Sequence, residues 1–182
     1  TNDDTAMISI ADDTVVEGNI GTSNRVYTVT LSQDVDVDVT LTASTSDDTA
    51  LAADDDYLSA SQAITFTSGA NTPQTLTVPI PGDEKVELDE TYLVLLTDLQ
   101  TQGRDVVLEN SGMATGNITN DDSATISIDD LAILEGDSGT TDFVFTVTLS
   151  HAVGVPVSLD FQTNNALAET SDNDYQSNAG TL

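Results

Sequence analysis

The sequence predicts an all-β fold, a sandwich of two antiparallel sheets that recurs along the chain. Apolar and polar residues alternate over short runs, which is the pattern of strands with one buried face. Gly, Asn, Asp and Ser cluster between these runs, and no stretch keeps a helical period. About seven short strands in a unit of roughly 100 residues are typical of a two-sheet sandwich.

The clearest strand is the run RVYTVTLS, because its side chains separate into two faces. Tyr27, Val29 and Leu31 lie on one face, and threonines dominate the other. The other predicted strands are MISI (7–10), TVV (14–16), VDVTLTA (37–43), AITF (63–66), QTLTVPI (74–80), TYLVLL (91–96) and GMATGNI (112–118). Pro79 has no amide hydrogen, so we expect its strand to lie at a sheet edge or to break there.

The chain repeats itself at an offset of 118 residues. Residues 1–64 align with residues 119–182 without a gap, at 29 identical positions. This period suits a whole domain better than a solenoid repeat of roughly 20 to 50 residues. We expect residues 1–122 to form a complete domain and residues 123–182 to form the N-terminal half of a second one. That half is truncated, or is completed by later sequence or by another chain through domain swapping or a dimer, and alone it would expose apolar strand faces.

The charge balance excludes several classes of partner. The chain has 32 acidic and 3 basic residues, for a net charge of -29. Such a surface repels nucleic acid and anionic membranes. The chain has no cysteine, which excludes disulfides, thiolate metal sites and thiol nucleophiles. The apolar runs are far shorter than the roughly 18 residues of a membrane span, so we expect no membrane insertion.

The carboxylates gather in the predicted loops, where cation binding and simple solvation are both open. Loops that follow alternate strands emerge at the same end of a sandwich, so the clusters can converge. Crowded carboxylates repel one another unless a cation lies between them. An oxygen-only ligand set favours Ca²⁺, whereas zinc would require His or Cys, and His151 is the only such residue. The alternative is that the acidic residues form a solvated surface and cap turns.

The order of the motifs resembles the Calx-β domain family. The motifs are ISIADDTVVEGN, YTVTLS, TSDDTA, DDDY, ITFTSGANTPQTLTVPIPGDEKVELDETYLVLL and a closing NDD. The resemblance covers one complete unit and the first half of another. It implies a seven-stranded immunoglobulin-like sandwich. The family occurs in sodium–calcium exchangers, in an integrin β subunit and in tandem arrays of large bacterial surface and adhesin proteins.

The resemblance also implies a set of calcium ligands. Calcium-binding members of the family take ligands from loops at one end and from the acidic segment that closes the domain. Carried over motif by motif, the implied metal ligands are Glu17, Asp47, Asp56, Asp83, Glu84, Asp121 and Asp122, with Glu135 and Asp174 in the second copy. Two positions depart from the pattern, because Asp48 replaces a family glycine and Asn165 stands in the second copy where the first has Asp47. Residues 87–90 match the family's E-x-D-E run, and they can equally hold the loop or face solvent.

We expect a calcium-binding structural or adhesive module of a repetitive extracellular or cell-surface protein, with a bacterial source favoured. Its predicted partners are calcium ions, neighbouring repeat domains and a cell-surface ligand, and ions at the loop ends and the domain seam would stiffen the array. A calcium-sensing regulatory domain and a module that binds a surface sugar or peptide are the open alternatives. We expect no enzyme, since aromatic residues are 4%, Trp is absent, and His151 is the only histidine available as a base.

Overall fold

The computed structural model of the protein describes residues 4–182, so the first three residues of the initial TNDD motif lie outside it. Residues 4–122 are called the first segment below, and residues 123–182 the second segment. The first segment has nine strands: β1 (Ala6–Ser9), β2 (Asp13–Val16), β3 (Thr22–Leu31), β4 (Val39–Asp47), β5 (Ser61–Phe66), β6 (Gln74–Pro81), β7 (Glu90–Gln100), β8 (Val106–Leu108) and β9 (Met113–Thr119).

The helical structure in the described chain is limited to two 3-10 turns, Glu109–Gly112 and Thr170–Asp172. None of the helices found in residues 4–182 has the length and apolar character needed to cross a membrane.

The nine strands form the predicted two-sheet sandwich. One sheet has the order β6-β3-β1-β8, and the other has the order β2-β9-β7-β4-β5. Most neighbours are antiparallel, but β1 runs parallel to β8, and β2 runs parallel to β9. These parallel pairs arise because the start of the chain contributes β1 to one sheet and then crosses to contribute β2 to the other.

The strand predictions hold with two differences. The sequence pattern missed β8, which is only three residues long and too short to show a period. The predicted strand at 37–43 lies two residues further on, as β4. The expectation for Pro79 is confirmed, because β6 lies at the edge of its sheet and pairs only with β3.

The core of the first segment lies between the two sheets, and a cluster of three tyrosines marks one part of it. The rings of Tyr57 and Tyr92 stack with centroids 4.7 Å apart, and Tyr27 meets Tyr92 edge-on at 6.3 Å. The hydroxyls of Tyr27 and Tyr92 share a hydrogen bond of 2.9 Å, which satisfies both polar atoms inside the core. A Cβ at Gly116 would lie 2.3 Å from the Tyr92 ring, so only glycine fits beside the cluster.

The second segment has strands but no core of its own. Its strands are β10 (Ile126–Ile128), β11 (Val147–Leu149), β12 (Asp160–Gln162) and β13 (Ala179–Thr181). They form two separate two-stranded sheets, β10-β11 and β12-β13. None of residues 123–182 is buried. The apolar residues of the segment are therefore exposed or half-buried, and its identity as half of a second domain stays a prediction.

Candidate metal centre

Glu17 is brought to the end of the first segment by the parallel pairing of β2 with β9. Val16 lies opposite Thr119, and the Glu17 amide donates to the Thr119 carbonyl at 3.1 Å. Gly18 then adopts a φ of 80°, a left-handed conformation that favours glycine. Its amide donates to Asp121 Oδ1 at 2.9 Å. The EG motif and the closing NDD motif therefore meet, although they are about a hundred residues apart in the chain.

The acidic loop between β6 and β7 packs against the same turn. A Cβ at Gly82 would lie 2.1 Å from the Gly18 carbonyl oxygen, so this approach requires glycine. Further along, the Glu87 amide donates to Asn120 Oδ1 at 3.2 Å, and the Asn120 amide donates to Asp89 Oδ1 at 3.1 Å. Asn120 thus ties the acidic loop to the end of β9.

The end of β4 supplies Asp47, and the loop between β4 and β5 supplies Asp56. Asp47 Oδ1 accepts hydrogen bonds from the Tyr57 hydroxyl at 2.5 Å and from the Ala52 amide at 3.0 Å. These bonds, led by that of Tyr57, lower the pKa of Asp47. Asp56 is buried, and its Oδ2 accepts from the Leu51 amide at 2.7 Å. Asp47 therefore anchors the loop, and Asp56 lies beneath it.

Negative charges crowd around Glu17. Burial is the largest cause of a raised pKa at Glu17, which reaches about 7. Four carboxylates raise it further by repulsion, and in descending order they are Asp83, Glu87, Asp122 and Asp56. Burial, followed by a hydrogen bond with Asp56, also raises the pKa of Glu90 to about 7. Ionising these groups is therefore harder than ionising a free glutamate, and a nearby cation would make it easier.

Asp122 has a buried carboxylate oxygen that lacks a partner, which is the most direct indication of a cation site. Its Oδ1 accepts from the Asn19 side chain at 2.8 Å, but its Oδ2 is buried and has no hydrogen-bond partner. Burial, followed by the charge of Asp121, raises the pKa of Asp122. A buried carboxylate oxygen without a partner is costly, and a hard cation would compensate it.

The donor set fits calcium in its chemistry, but the side chains are not already arranged as a cage. All nearby donors are oxygens, as Ca²⁺ prefers. Among residues 4–182, no group of three or more acidic, His or Cys side chains is placed so that it could hold a metal ion as it stands. Mutual repulsion spreads carboxylates apart, so an ion would have to draw these side chains together.

Most ligands implied by the first segment's motifs belong to one charged cluster. Glu17 interacts electrostatically with Asp56, Asp83 and Asp122. Asp122 interacts in turn with Glu84 and Asp121. Asp47 is instead held by Tyr57 and Ala52. No observation tests which of these residues bind metal, so the ligand set stays a prediction.

The predicted ligands of the second segment stand apart from this cluster. Glu135 and Asp174 are both exposed. Asp174 Oδ2 accepts from the Glu169 amide at 2.9 Å, as Asp56 does from Leu51. The second segment therefore repeats a loop hydrogen bond of the first, but at exposed residues.

Two members of the site were not singled out as ligands from the sequence. Glu90 contacts Asp56, and Asn120 holds the acidic loop and also donates to the Asp122 carbonyl at 3.1 Å. The E-x-D-E match contained Glu90, and the Asn of the repeated NDD motif was the available signal for Asn120. Glu87, in the same run, forms an ion pair with Lys85, so it partly serves to hold the loop.

Comparison with known proteins agrees with this architecture. The model of the Calx-beta domain family matches residues 1–122. The crystal structure of the apo-form Calx CBD1 domain is similar at 22% identity and a TM-score of 0.55, over 65% of this chain and 100% of that one. The calcium binding domain CBD12 of CALX1.1 is similar at 21% identity and a TM-score of 0.53, over 64% of this chain and 44% of that one. The Calx CBD2 domain is similar at 13% identity and a TM-score of 0.51, over 63% of this chain and 86% of that one.

These structural similarities are low in sequence identity and establish the fold. No curated protein matches this chain. The family match covers 122 of the 182 residues, and it supports a calcium-binding type of domain. The chain therefore belongs to the Calx-beta domain family.

Proposed function

We propose that this chain is a calcium-binding structural module of a repetitive extracellular or cell-surface protein, bacterial in source and adhesive in role. Calcium would bind where the loops of the first segment meet its closing NDD motif. The observation that carries this proposal is the buried, unpartnered Oδ2 of Asp122 beside a crowd of carboxylates. Glu17, Asp83 and Asp122 are the first candidates for ligands, with Asp56, Glu84 and Asp121 around them.

The position of the charged cluster supports a role in stiffening. Asp121 and Asp122 close the first segment, and β10 of the second segment begins at Ile126 without a Gly-rich linker between. An ion held by the loops and by these two residues would fix the angle between successive segments. Without the ion, repulsion among the same carboxylates would widen the range of angles between the segments that their contact allows.

A location outside the cell would supply the calcium that such a module needs. Extracellular calcium modules bind with dissociation constants of about 10⁻⁴ to 10⁻³ M, a range that external fluids can fill and cytosol cannot. At a free calcium level of about 10 times the constant, one site stabilises the folded state by roughly 1.4 kcal/mol. For a domain of this size, that free energy raises the melting midpoint by roughly 5 °C.

The first test is a thermal melt of the full chain in EDTA, in millimolar Ca²⁺ and in millimolar Mg²⁺. We expect a rise in the midpoint with Ca²⁺ that Mg²⁺ does not reproduce. Asp122→Asn should abolish the rise, and in EDTA it should raise the midpoint slightly because it removes one repelling charge. Glu109→Gln, at an exposed carboxylate outside the cluster, is the matched control. An equal response of all three proteins to Ca²⁺ and Mg²⁺ would leave the acidic loops as a solvated surface.

Stiffening needs a separate measurement, since binding alone would also fit a calcium sensor or a ligand-binding module. Spin labels at Ser68 and Ser177, one on each segment, would report the spread of distances between the segments. We expect calcium to narrow that distribution in the wild-type chain and to leave it unchanged in Asp122→Asn. A chain that binds calcium with no change in the distribution would favour the sensor or the surface-ligand role instead.

A further inference from the structure

The two segments are joined by main-chain hydrogen bonds as well as by the peptide chain. The Val86 amide, in the acidic β6-β7 loop, donates to the Ala152 carbonyl at 2.9 Å. The Gly154 amide donates back to the Val86 carbonyl at 2.8 Å. Val86 and Val153 thereby form a parallel bridge between the segments. His151 Nε2 lies 3.7 Å from Glu84 Oε2 and adds a side-chain contact to the joint.

The surface on the first-segment side of this joint is strongly negative. The loop around Val86 carries the carboxylates of Asp83, Glu84, Glu87 and Asp89. Its one cation, Lys85, is already paired with Glu87. A partner that docks here must offer free main-chain groups and must avoid adding carboxylates of its own.

The loop on the second-segment side meets both requirements, and its equivalent in the first segment does not. Residues 151–156 read HAVGVP, whereas the equivalent residues 33–38 read QDVDVD. The valines are kept, but each of the three aspartates is replaced, by Ala152, Gly154 and Pro156. In the first segment, Asp36 instead pairs with Arg104, and Asp38 accepts from the Ser68 amide.

Gly154 shows that charge, rather than space, restricts this position. A Cβ at Gly154 would lie 3.5 Å from Glu87 Oε1 and 3.6 Å from the Val86 carbonyl oxygen, which is ordinary van der Waals contact. Its φ is not in the left-handed region, so other residues can adopt its backbone. A carboxylate there would be forced against Glu87 within a loop that is already crowded with negative charge.

We propose that the Val86 loop is a docking surface for a following repeat, and that it accepts only a repeat whose equivalent loop lacks carboxylates at the positions of Ala152 and Gly154. Main-chain hydrogen bonds supply the contact, and side-chain charge selects the partner. The joint would set the order of repeats in an array, because a segment with the QDVDVD loop cannot dock in the same way. This inference goes beyond calcium binding, since the two hydrogen bonds need no ion.

Amide hydrogen exchange of the full chain in EDTA tests the proposal at single residues. We expect the Val86 and Gly154 amides to be protected in the wild-type chain. In Gly154→Asp, the Val86 amide should exchange about tenfold faster, the amount expected from the loss of two hydrogen bonds of modest net strength. Gly154→Asn has nearly the same shape without the charge, and it should keep the wild-type protection.

Two further readouts make the outcome decisive. The Val94 amide, in the core strand β7, should exchange equally in all three proteins, which shows that the first segment stays folded. High salt should restore part of the Val86 protection in Gly154→Asp, because screening weakens the repulsion. Equal exchange in the Asp and Asn variants would overturn the selection by charge. Protection of Val86 that appears only with calcium would overturn the metal-independent joint while supporting the proposed calcium site.

Discussion

Tyr27 and Phe145 occupy the same place in the repeat, yet Tyr27 is 2% exposed and Phe145 is 48% exposed. The same contrast holds for Ile8 at 0% and Ile126 at 47%. Both pairs lie in sequence runs with the same alternation, so the pattern that predicts a buried face is equally strong in the two segments. The pattern predicts which face of a strand can be buried. Packing against the opposite sheet decides whether that face is buried.

Local hydrogen bonds, in contrast, are reproduced across the repeat. The hydroxyls of Ser9 and Thr30 share a hydrogen bond of 2.7 Å, and so do those of Ser127 and Thr148. The Asp47 carboxylate accepts from Tyr57, and the Asn165 amide oxygen accepts from Tyr175 at 2.6 Å. These contacts join residues within the shared 64-residue stretch and need nothing from β6 to β9. Residues near in sequence therefore form the same contacts with or without a surrounding core.

The largest expected effect comes from truncating the equivalent aromatic residues. Tyr27→Ala should lower the free energy of unfolding of the first segment by about 3 to 5 kcal/mol, because it leaves a cavity and an unpaired Tyr92 hydroxyl. Phe145→Ala should change it by less than about 0.5 kcal/mol, since Phe145 is half exposed. Urea unfolding followed by tyrosine fluorescence measures both. Similar losses in the two variants would mean that the second segment has a buried core in solution.

The second effect is a pH dependence that belongs to the first segment alone. The folded-state pKa values of Glu17 and Glu90 are about 7, against 4.5 for the free side chain. Between these values the folded chain holds protons that the unfolded chain has released, so stability falls as pH rises through that window. In EDTA, we expect the melting midpoint to drop by roughly 5 °C between about pH 5 and pH 7.5.

Matched variants of Glu17 and Glu135 test whether the buried Glu17 causes this pH dependence. Glu17→Gln should remove a large part of the slope, whereas Glu135→Gln, at the equivalent exposed position, should leave it unchanged. Saturating calcium should flatten or reverse the slope, because the ion binds the ionised carboxylates. A slope that Glu135→Gln reduces as much as Glu17→Gln would contradict the difference in burial between the segments.

The smallest expected effect separates two roles of Asp47. Asn165 accepts the same pair of hydrogen bonds, from Tyr175 and Thr170, that Asp47 accepts from Tyr57 and Ala52. Asp47→Asn should therefore change the midpoint in EDTA by less than the equivalent of about 1 kcal/mol. The melting midpoint of Asp47→Asn in millimolar Ca²⁺ then shows whether Asp47 binds calcium or only holds the loop. An unchanged calcium response would make Asp47 an anchor of the loop, and a lost response would make it a ligand.

The sequence by itself determined the β-sandwich and the positions of most strands, and Pro79 limited β6 to a sheet edge or a break. These depend on alternation, turn residues or proline chemistry, which act over a few neighbouring residues. The period of the repeat came from aligning the chain with itself. The sequence also placed most carboxylates in loops, and the resemblance to the family selected nine of them: Glu17, Asp47, Asp56, Asp83, Glu84, Asp121, Asp122, Glu135 and Asp174.

Only the tertiary structure decided which of those carboxylates meet and which apolar faces are covered. The parallel pairing of β2 with β9 brings Glu17 to the NDD motif. The strand β8 has only three residues, which is too short to show a period in the sequence. The roles of Gly116 beside Tyr92, and of Gly154 beside Glu87, depend on neighbours that are distant in the chain. Such contacts arise from strand order across a sheet and from packing between sheets, and no local pattern encodes them.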